Sequence, residues 1–147
     1  MGKFVYKMVL DVVCALVFKH GKVLAAQRGS FSSNPHKWEF PGGKVQPGEL
    51  FRDAIIREIS EELSVEIKVV SELASVVYDY GNKQITLIPF ICKVERGVIR
   101  LNEHARLGWF TIPQLNNLGL AEADKVLLDK NREPLLRYAR ENLDQRS

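Results

Sequence analysis

The order of elements in this sequence predicts an α+β domain, an α/β/α sandwich in which a central mixed β-sheet carries helices on both faces. Three observations point there. Apolar and β-branched runs open the chain between positions 8 and 27 and return between 66 and 95. An amphipathic segment between about 49 and 64 separates them. Helical periodicity then takes over after position 111. With 147 residues, one domain spanning 1–147 is expected, long enough to bury a core.

Taken in order, Met8 to Phe18 reads as a buried strand interrupted by Asp11, and Lys19 to Lys22 as a turn. Val23 to Gln27 is the second strand of a hairpin. Arg28 to His36 is a polar loop long enough to wall a site. Trp38 to Phe40 is a short strand that stops at Pro41. A helix starts near Glu49 or Leu50 and ends near Leu63 or Ser64. At about 100° per residue, Ile55, Ile59 and Leu63 share one side with Ile56 close by, and Glu58, Glu61 and Glu62 lie roughly 120° round from them. Ala54 falls among the glutamates one turn earlier, where a small side chain leaves room for a ligand.

Glu66 to Tyr80 reads as a strand bent near Glu72, Gly81 to Lys83 as a turn, and Gln84 to Glu95 as a second long strand. Pro89 inside it argues for an edge position or a bulge. Val98 to Leu101 is expected to be a short strand, Asn102 to Leu107 a loop, and Gly108 to Phe110 a strand. Thr111 is an N-cap with Pro113 in the first turn of a helix reaching Leu118. Glu122 to Lys130 and Pro134 to Asn142 are helical, with a break at Asn131 to Glu133.

Composition narrows the function. Hydrophobic residues make up 46% and charged residues 27%, ordinary for a soluble globular domain. A net charge of +3 suits an anionic small substrate and does not by itself imply a nucleic-acid polymer. Cys14 and Cys92 each sit in an apolar run and read as buried free thiols, which fits a reducing cytoplasm. Neither a signal peptide nor a membrane span is evident. His20, His36 and His104 form no ligand-spaced set.

The chemistry concentrates between Gly42 and Val65. Glu58, Glu61 and Glu62 are spaced i, i+3, i+4, on one helical face. Like charges so placed destabilise a helix by a few tenths of a kcal/mol per pair, so something neutralises them. A divalent cation does this well. Magnesium takes hard oxygen ligands and is held by one or two carboxylates, waters and substrate phosphates. Polyphosphate hydrolysis needs that charge neutralisation and an aligned water.

The same stretch resembles the Nudix box, G-x5-E-x7-R-E-U-x-E-E-x-G-U with U aliphatic. Gly43, Glu49, Arg57, Glu58, Ile59, Glu61, Glu62 and Val65 match, and Ser64 stands where the family has a helix-ending glycine. The resemblance implies a Nudix-type α/β/α sandwich and a Mg²⁺ site, with Mn²⁺ as substitute, held by Glu58, Glu61 and Glu62 with help from the Gly43 carbonyl. Arg57 would orient the carboxylates. Glu49 is either an outer-shell or second-metal acid, or a helix N-terminal acid favouring the dipole.

Beyond the box, Val12 to Lys130 looks closest to MutT-type nucleoside triphosphate pyrophosphohydrolases, including the bacterial CTP pyrophosphohydrolases. The segment Lys37-Trp-Glu-Phe-Pro-Gly-Gly-Lys44 is similar to the lead into the box in those enzymes. Arg28, at the end of the second strand, is by that resemblance a phosphate or nucleotide contact, or else a surface arginine. Phe40 lines the nucleotide pocket or the core. Glu103 corresponds to a loop glutamate that ligates metal or activates water, the alternative being a solvated carboxylate. Asp124 sits where the family reads the base, or it is the N-cap of the following helix. An ionised aspartate only accepts hydrogen bonds, which suits the amino group of cytosine. A protonated one in a buried pocket also serves a purine.

These readings imply Mg-dependent hydrolysis of nucleoside triphosphates, 8-oxo-dGTP or (d)CTP in type, to monophosphate and pyrophosphate by a monomer or weak dimer. The alternatives are another nucleoside diphosphate derivative (a dinucleoside polyphosphate, a nucleotide sugar, NADH) or a non-catalytic nucleotide-binding module.

Overall fold

Strand β1 (Met8–Lys19) is the axis of the molecule. The computed structural model describes residues 7–30, 35–102 and 106–143, and within them side chains of β1 alternate between two cores. Cys14, Leu16 and Phe18 enter one cluster, and Val13, Ala15 and Val17 the other. From Val13 to Phe18 the strand is therefore covered on both faces.

Strand β2 (Lys22–Gln27) pairs antiparallel with β1, as the turn at His20-Gly21 requires. Both turn residues have positive φ, 50° and 75°. Strand β3 (Trp38–Glu39) extends β2, and β4 (Gly42–Lys44) pairs antiparallel with β1. Helix α1 (Phe51–Leu63) follows. Strands β5 (Glu66–Glu72) and β6 (Val76–Asp79) both pair antiparallel with β7 (Lys83–Arg96), which runs parallel to β1. Strand β8 (Arg106–Phe110) pairs with β2. Three helices close the described chain: α2 (Ile112–Leu115), α3 (Glu122–Lys130) and α4 (Arg132–Glu141). The sheet order is β3-β2-β1-β7-β5, a mixed sheet.

Helix α1 packs on one face, burying Ile55, Ile59 and Leu63 completely. Each such side chain contributes about 1.5–3 kcal/mol when fully removed from water. On the other face α2, α3 and α4 bring Ile112, Leu115, Leu127, Leu128 and Leu135 against the even-numbered residues of β1. The sandwich expected from element order is thus the observed one. Cys14 and Cys92 are buried free thiols, as read, and they lie in different clusters. No helix among the described residues is long and apolar enough to cross a membrane.

Several boundaries differ from the expectation. The single bent strand from Glu66 to Tyr80 is two strands, separated at 73–75 where Asn131 takes over the backbone. The buried Asn131 amide accepts from Ala74 N at 2.9 Å and donates to Ala74 O at 2.9 Å, so the gap between strands stays satisfied. Pro89 lies in the interior of the sheet and not at its edge. Its missing N–H is tolerated because β7 changes neighbour there: β5 pairs down to Phe90 and β6 begins at Leu87. The bulge lies on the facing strand, with a register shift between Val69 and Ser71. Val98 to Leu101 forms no strand. Arg100 N donates instead to Leu63 O at 2.8 Å, using the free carbonyl at the end of α1. Helix α2 ends at Leu115 and not Leu118, opened by a Thr111–Gln114 capping box. The break between the last helices is Asn131 alone. Within the loop from Arg28 to His36, 31–34 lie outside the described residues.

Candidate active site

Glycine makes the approach of the box to the sheet possible. Strand β4 lies so close to β1 that a Cβ on Gly42 would overlap the Val13 carbonyl, and one on Gly43 would overlap the Glu58 carboxyl. The Gly43 backbone is thereby set against Glu58. The sequence reading missed β4 as a strand, because Gly-Gly-Lys has little strand propensity of its own. Its partner in β1 makes it one.

Arg57 organises the acids. Its Nε donates to Glu49 Oε2 at 2.7 Å and its Nη2 to Glu49 Oε1 at 2.9 Å, a two-pronged pair. Its Nη1 donates to Glu58 Oε1 at 2.9 Å and to Glu61 Oε2 at 3.3 Å, and Nη2 reaches Lys44 O at 3.1 Å. One guanidinium thus ties Glu49, Glu58, Glu61 and the glycine strand together. The Arg57 hydrogen bond, helped by the Gln46 backbone, holds the Glu49 carboxyl down at about 2. Arg57 in turn is pushed upward, first by its bond to Glu49. The two open readings of Glu49 therefore meet a third: it is the clamp that fixes Arg57.

Glu61 is well exposed, with 59% of its side chain open, while Glu62 is half-buried. Asn102 pins the next segment to this end of the helix, Nδ2 donating to Glu61 O at 2.7 Å. Glu103 follows Asn102 in the chain, but it lies outside the described residues with His104. Ala54 lies one turn before Glu58 on the same side of the helix, but it leaves no open room for a ligand. It is fully buried among residues of the α1 core, because the sheet covers a wider arc of the helix than the wheel assigned.

Among the described residues no three acidic, histidine or cysteine side chains converge into a closed metal cage. Magnesium asks for less: one or two carboxylates, waters and substrate phosphates. The donors here are all oxygen, with Glu58 and Glu61 drawn to one guanidinium beside the Gly43 backbone. That chemistry fits the ion.

A cavity of about 470 Å³ opens next to Gly42–Lys44. Leu10, Val12 and Cys14 of β1 with Ile85 and Leu87 of β7 line it with apolar surface. Arg28, Glu39 and Phe40 line it from the β2–β3 side, and Ala121, Ala123 and Asp124 from the start of α3. Arg28 is ion-paired with Glu39. Phe40 is 3% exposed and also belongs to the core, so its two readings coincide.

Asp124 is the informative residue. It does not cap α3. The N-cap is Ala121, and Asp124 is already inside the helix, 8% exposed. Its Oδ2 accepts from Phe40 N at 2.8 Å. Burial pushes its carboxyl up to about 7, against the pull of that bond, and Glu39 adds to the rise. The cavity also contains Glu39, Lys44, Tyr80, Asn82 and Lys83, which the sequence reading did not assign. Glu39 and Lys44 flank the glycines in the segment singled out, a signal that was available. The other three belong to a turn whose place on the cavity only the topology reveals.

Fold and site together are those of a Nudix hydrolase. The chain belongs to that family: the NUDIX domain model matches residues 8–130. The CTP pyrophosphohydrolase of Escherichia coli (strain K12) is 36% identical over 120 residues, 82% of this chain and 89% of that protein. The 8-oxo-dGTP diphosphatase of Proteus vulgaris is 34% identical over 91 residues, 62% of this chain and 79% of that protein. The solution structure of the E. coli ORF135 protein superposes with a TM-score of 0.77 at 35% identity, covering 95% of this chain and 98% of the other. A MutT NUDIX hydrolase from Burkholderia pseudomallei gives 0.75 at 26% identity, covering 84% and 98%.

Proposed function

We propose that this enzyme hydrolyses nucleoside triphosphates to a nucleoside monophosphate and pyrophosphate with Mg²⁺, acting on (d)CTP-like or 8-oxo-dGTP-like substrates. The observation that carries this is that the Arg57-tied carboxylates adjoin, through Gly43 and Lys44, a half-apolar cavity ending at the buried Asp124. Phosphates and base each have a suitable half. The names of the similar proteins support the same reading.

In this reading Glu58, Glu61 and Glu62, with the Gly43 carbonyl, hold Mg²⁺. When bound, the ion neutralises charge on the phosphate oxygens. Arg57 keeps Glu58 and Glu61 aimed, and Glu49 keeps Arg57 aimed. Glu103 takes the proton from the attacking water. Water oxygen bonds to the β-phosphorus as the bond from that phosphorus to the α–β bridging oxygen breaks. The bridging oxygen departs with the monophosphate. Phe40 and Asp124 hold the base, and Arg28 contacts the nucleotide. The biological setting is cleansing of the nucleotide pool in the cytoplasm, by a monomer or weak dimer whose single domain spans 1–147.

A panel of ribo- and deoxynucleoside triphosphates, 8-oxo-dGTP, a dinucleoside polyphosphate, a nucleotide sugar and NADH, with Mg²⁺ or Mn²⁺, tests it. Pyrophosphate release from a triphosphate is the expected result. Turnover of none of the triphosphates overturns the assignment.

A further inference from the structure

The turn between β6 and β7 is built to hold one ring at the cavity. Tyr80 N donates to Lys83 O at 2.8 Å, closing the hairpin around Gly81, whose φ is +93°. Gly81 N donates to Asp79 Oδ1 at 2.7 Å, and Asp79 is itself paired with Lys7. The loop backbone is thus tied at both ends.

The Tyr80 ring is then held between two neighbours. Tyr78 packs against it with centroids 4.7 Å apart, and Lys83 Nζ lies 5.4 Å from its centroid. Ala123, in the first turn of α3, lines the same cavity as the ring. Asp124 is the next residue and lies within electrostatic reach of the phenol. A large aromatic side chain is therefore held beside the base-reading carboxylate, with 36% of its surface open.

We propose that Tyr80 is a specificity-determining residue of this enzyme, its ring being the wall that limits how large a base the cavity admits. The proposal rests on the nucleoside triphosphate reading above. An aromatic face beside an apolar floor favours a planar ligand, and a fixed wall sets its size where a mobile one does not. The two-residue turn, its tie to Asp79 and the Tyr78 and Lys83 contacts keep the ring from swinging out to solvent.

The test compares wild type, Tyr80→Ala and Tyr80→Phe. Steady-state kinetics with CTP and GTP are paired with calorimetric binding of CMP and GMP. Tyr80→Ala raises the GTP-to-CTP ratio of kcat/KM about tenfold, through KM more than kcat, with a parallel shift in monophosphate binding. Tyr80→Phe retains the ring and stays within about twofold of wild type. An unchanged ratio in Tyr80→Ala overturns the proposal. So does a Tyr80→Phe ratio as large as that of Tyr80→Ala, because the hydroxyl and not the ring would then be the limit. If wild type neither binds nor turns over any of these nucleotides, the underlying functional reading fails instead, which keeps the two failures apart.

Discussion

Asp124 couples folding to pH in the direction opposite to a salt-bridged acid. Its carboxyl ordinarily titrates near 3.8 and is pushed to about 7 in the folded protein. Between those values the folded chain holds a proton that the unfolded chain has released. Stability therefore falls as pH rises through this window, and above about 7 the fold carries a buried charge. Asp124→Asn removes that dependence while its amide oxygen still accepts from Phe40 N. We expect the variant to gain stability relative to wild type by about 2–3 kcal/mol between pH 5 and pH 8. Urea unfolding at several pH values checks this, and a difference independent of pH would show that Asp124 stays ionised in the fold. The same titration bears on recognition, since a protonated carboxyl donates a hydrogen bond and an ionised one only accepts.

Helix α1 shows what local pattern reveals and what it hides. Its limits and its i, i+3, i+4 acids follow from 3.6-residue periodicity, which needs no knowledge of the rest of the chain. That Ala54 is covered rather than open is hidden from pattern, because its burial depends on how far the sheet wraps the helix, a tertiary quantity. The strand Gly42–Lys44 was invisible for the same reason, since only the proximity of β1 makes it a strand. Ser64 marks the other boundary. It adopts the left-handed conformation, φ 59° and ψ 33°, that the family's glycine accommodates freely, and its N–H still closes the helix on Ser60 O at 3.0 Å. A non-glycine residue there costs about 1–2 kcal/mol. Its hydroxyl meets Asn102 Nδ2 only at 3.4 Å. Ser64→Gly is therefore expected to stabilise the protein by about 1 kcal/mol, after the greater freedom of glycine in the unfolded chain is subtracted. Chemical denaturation measures it. A loss of stability would mean that the hydroxyl's contact with Asn102 outweighs the backbone strain.

Across the whole molecule, the two halves of the candidate site differ in how far apart their parts lie in sequence. The carboxylates and Arg57 sit within one helix and the turn before it, so spacing alone made them legible. The cavity draws on 10–14, 80–87 and 121–124, which only the parallel pairing of β1 with β7 and the packing of α3 bring together. Tyr80 and Lys83 could not be found by pattern. The acidic half also leaves a testable imbalance: Glu49, Glu58 and Glu61 share one guanidinium. A cation that binds the folded arrangement and not the unfolded chain stabilises the fold by mass action, about 2.7 kcal/mol at a hundred times its dissociation constant. Mg²⁺ added to chelator-treated protein should therefore raise the thermal midpoint in a concentration-dependent way. Because the Glu61 side chain is 59% open, Glu61→Gln should leave metal-free stability near that of wild type. The same variant should weaken the magnesium-induced rise and lower turnover by about 100-fold or more. A magnesium response and a turnover rate both equal to those of wild type would remove Glu61 from the metal site. A lost response with full turnover would separate ion binding at this helix from the reaction altogether.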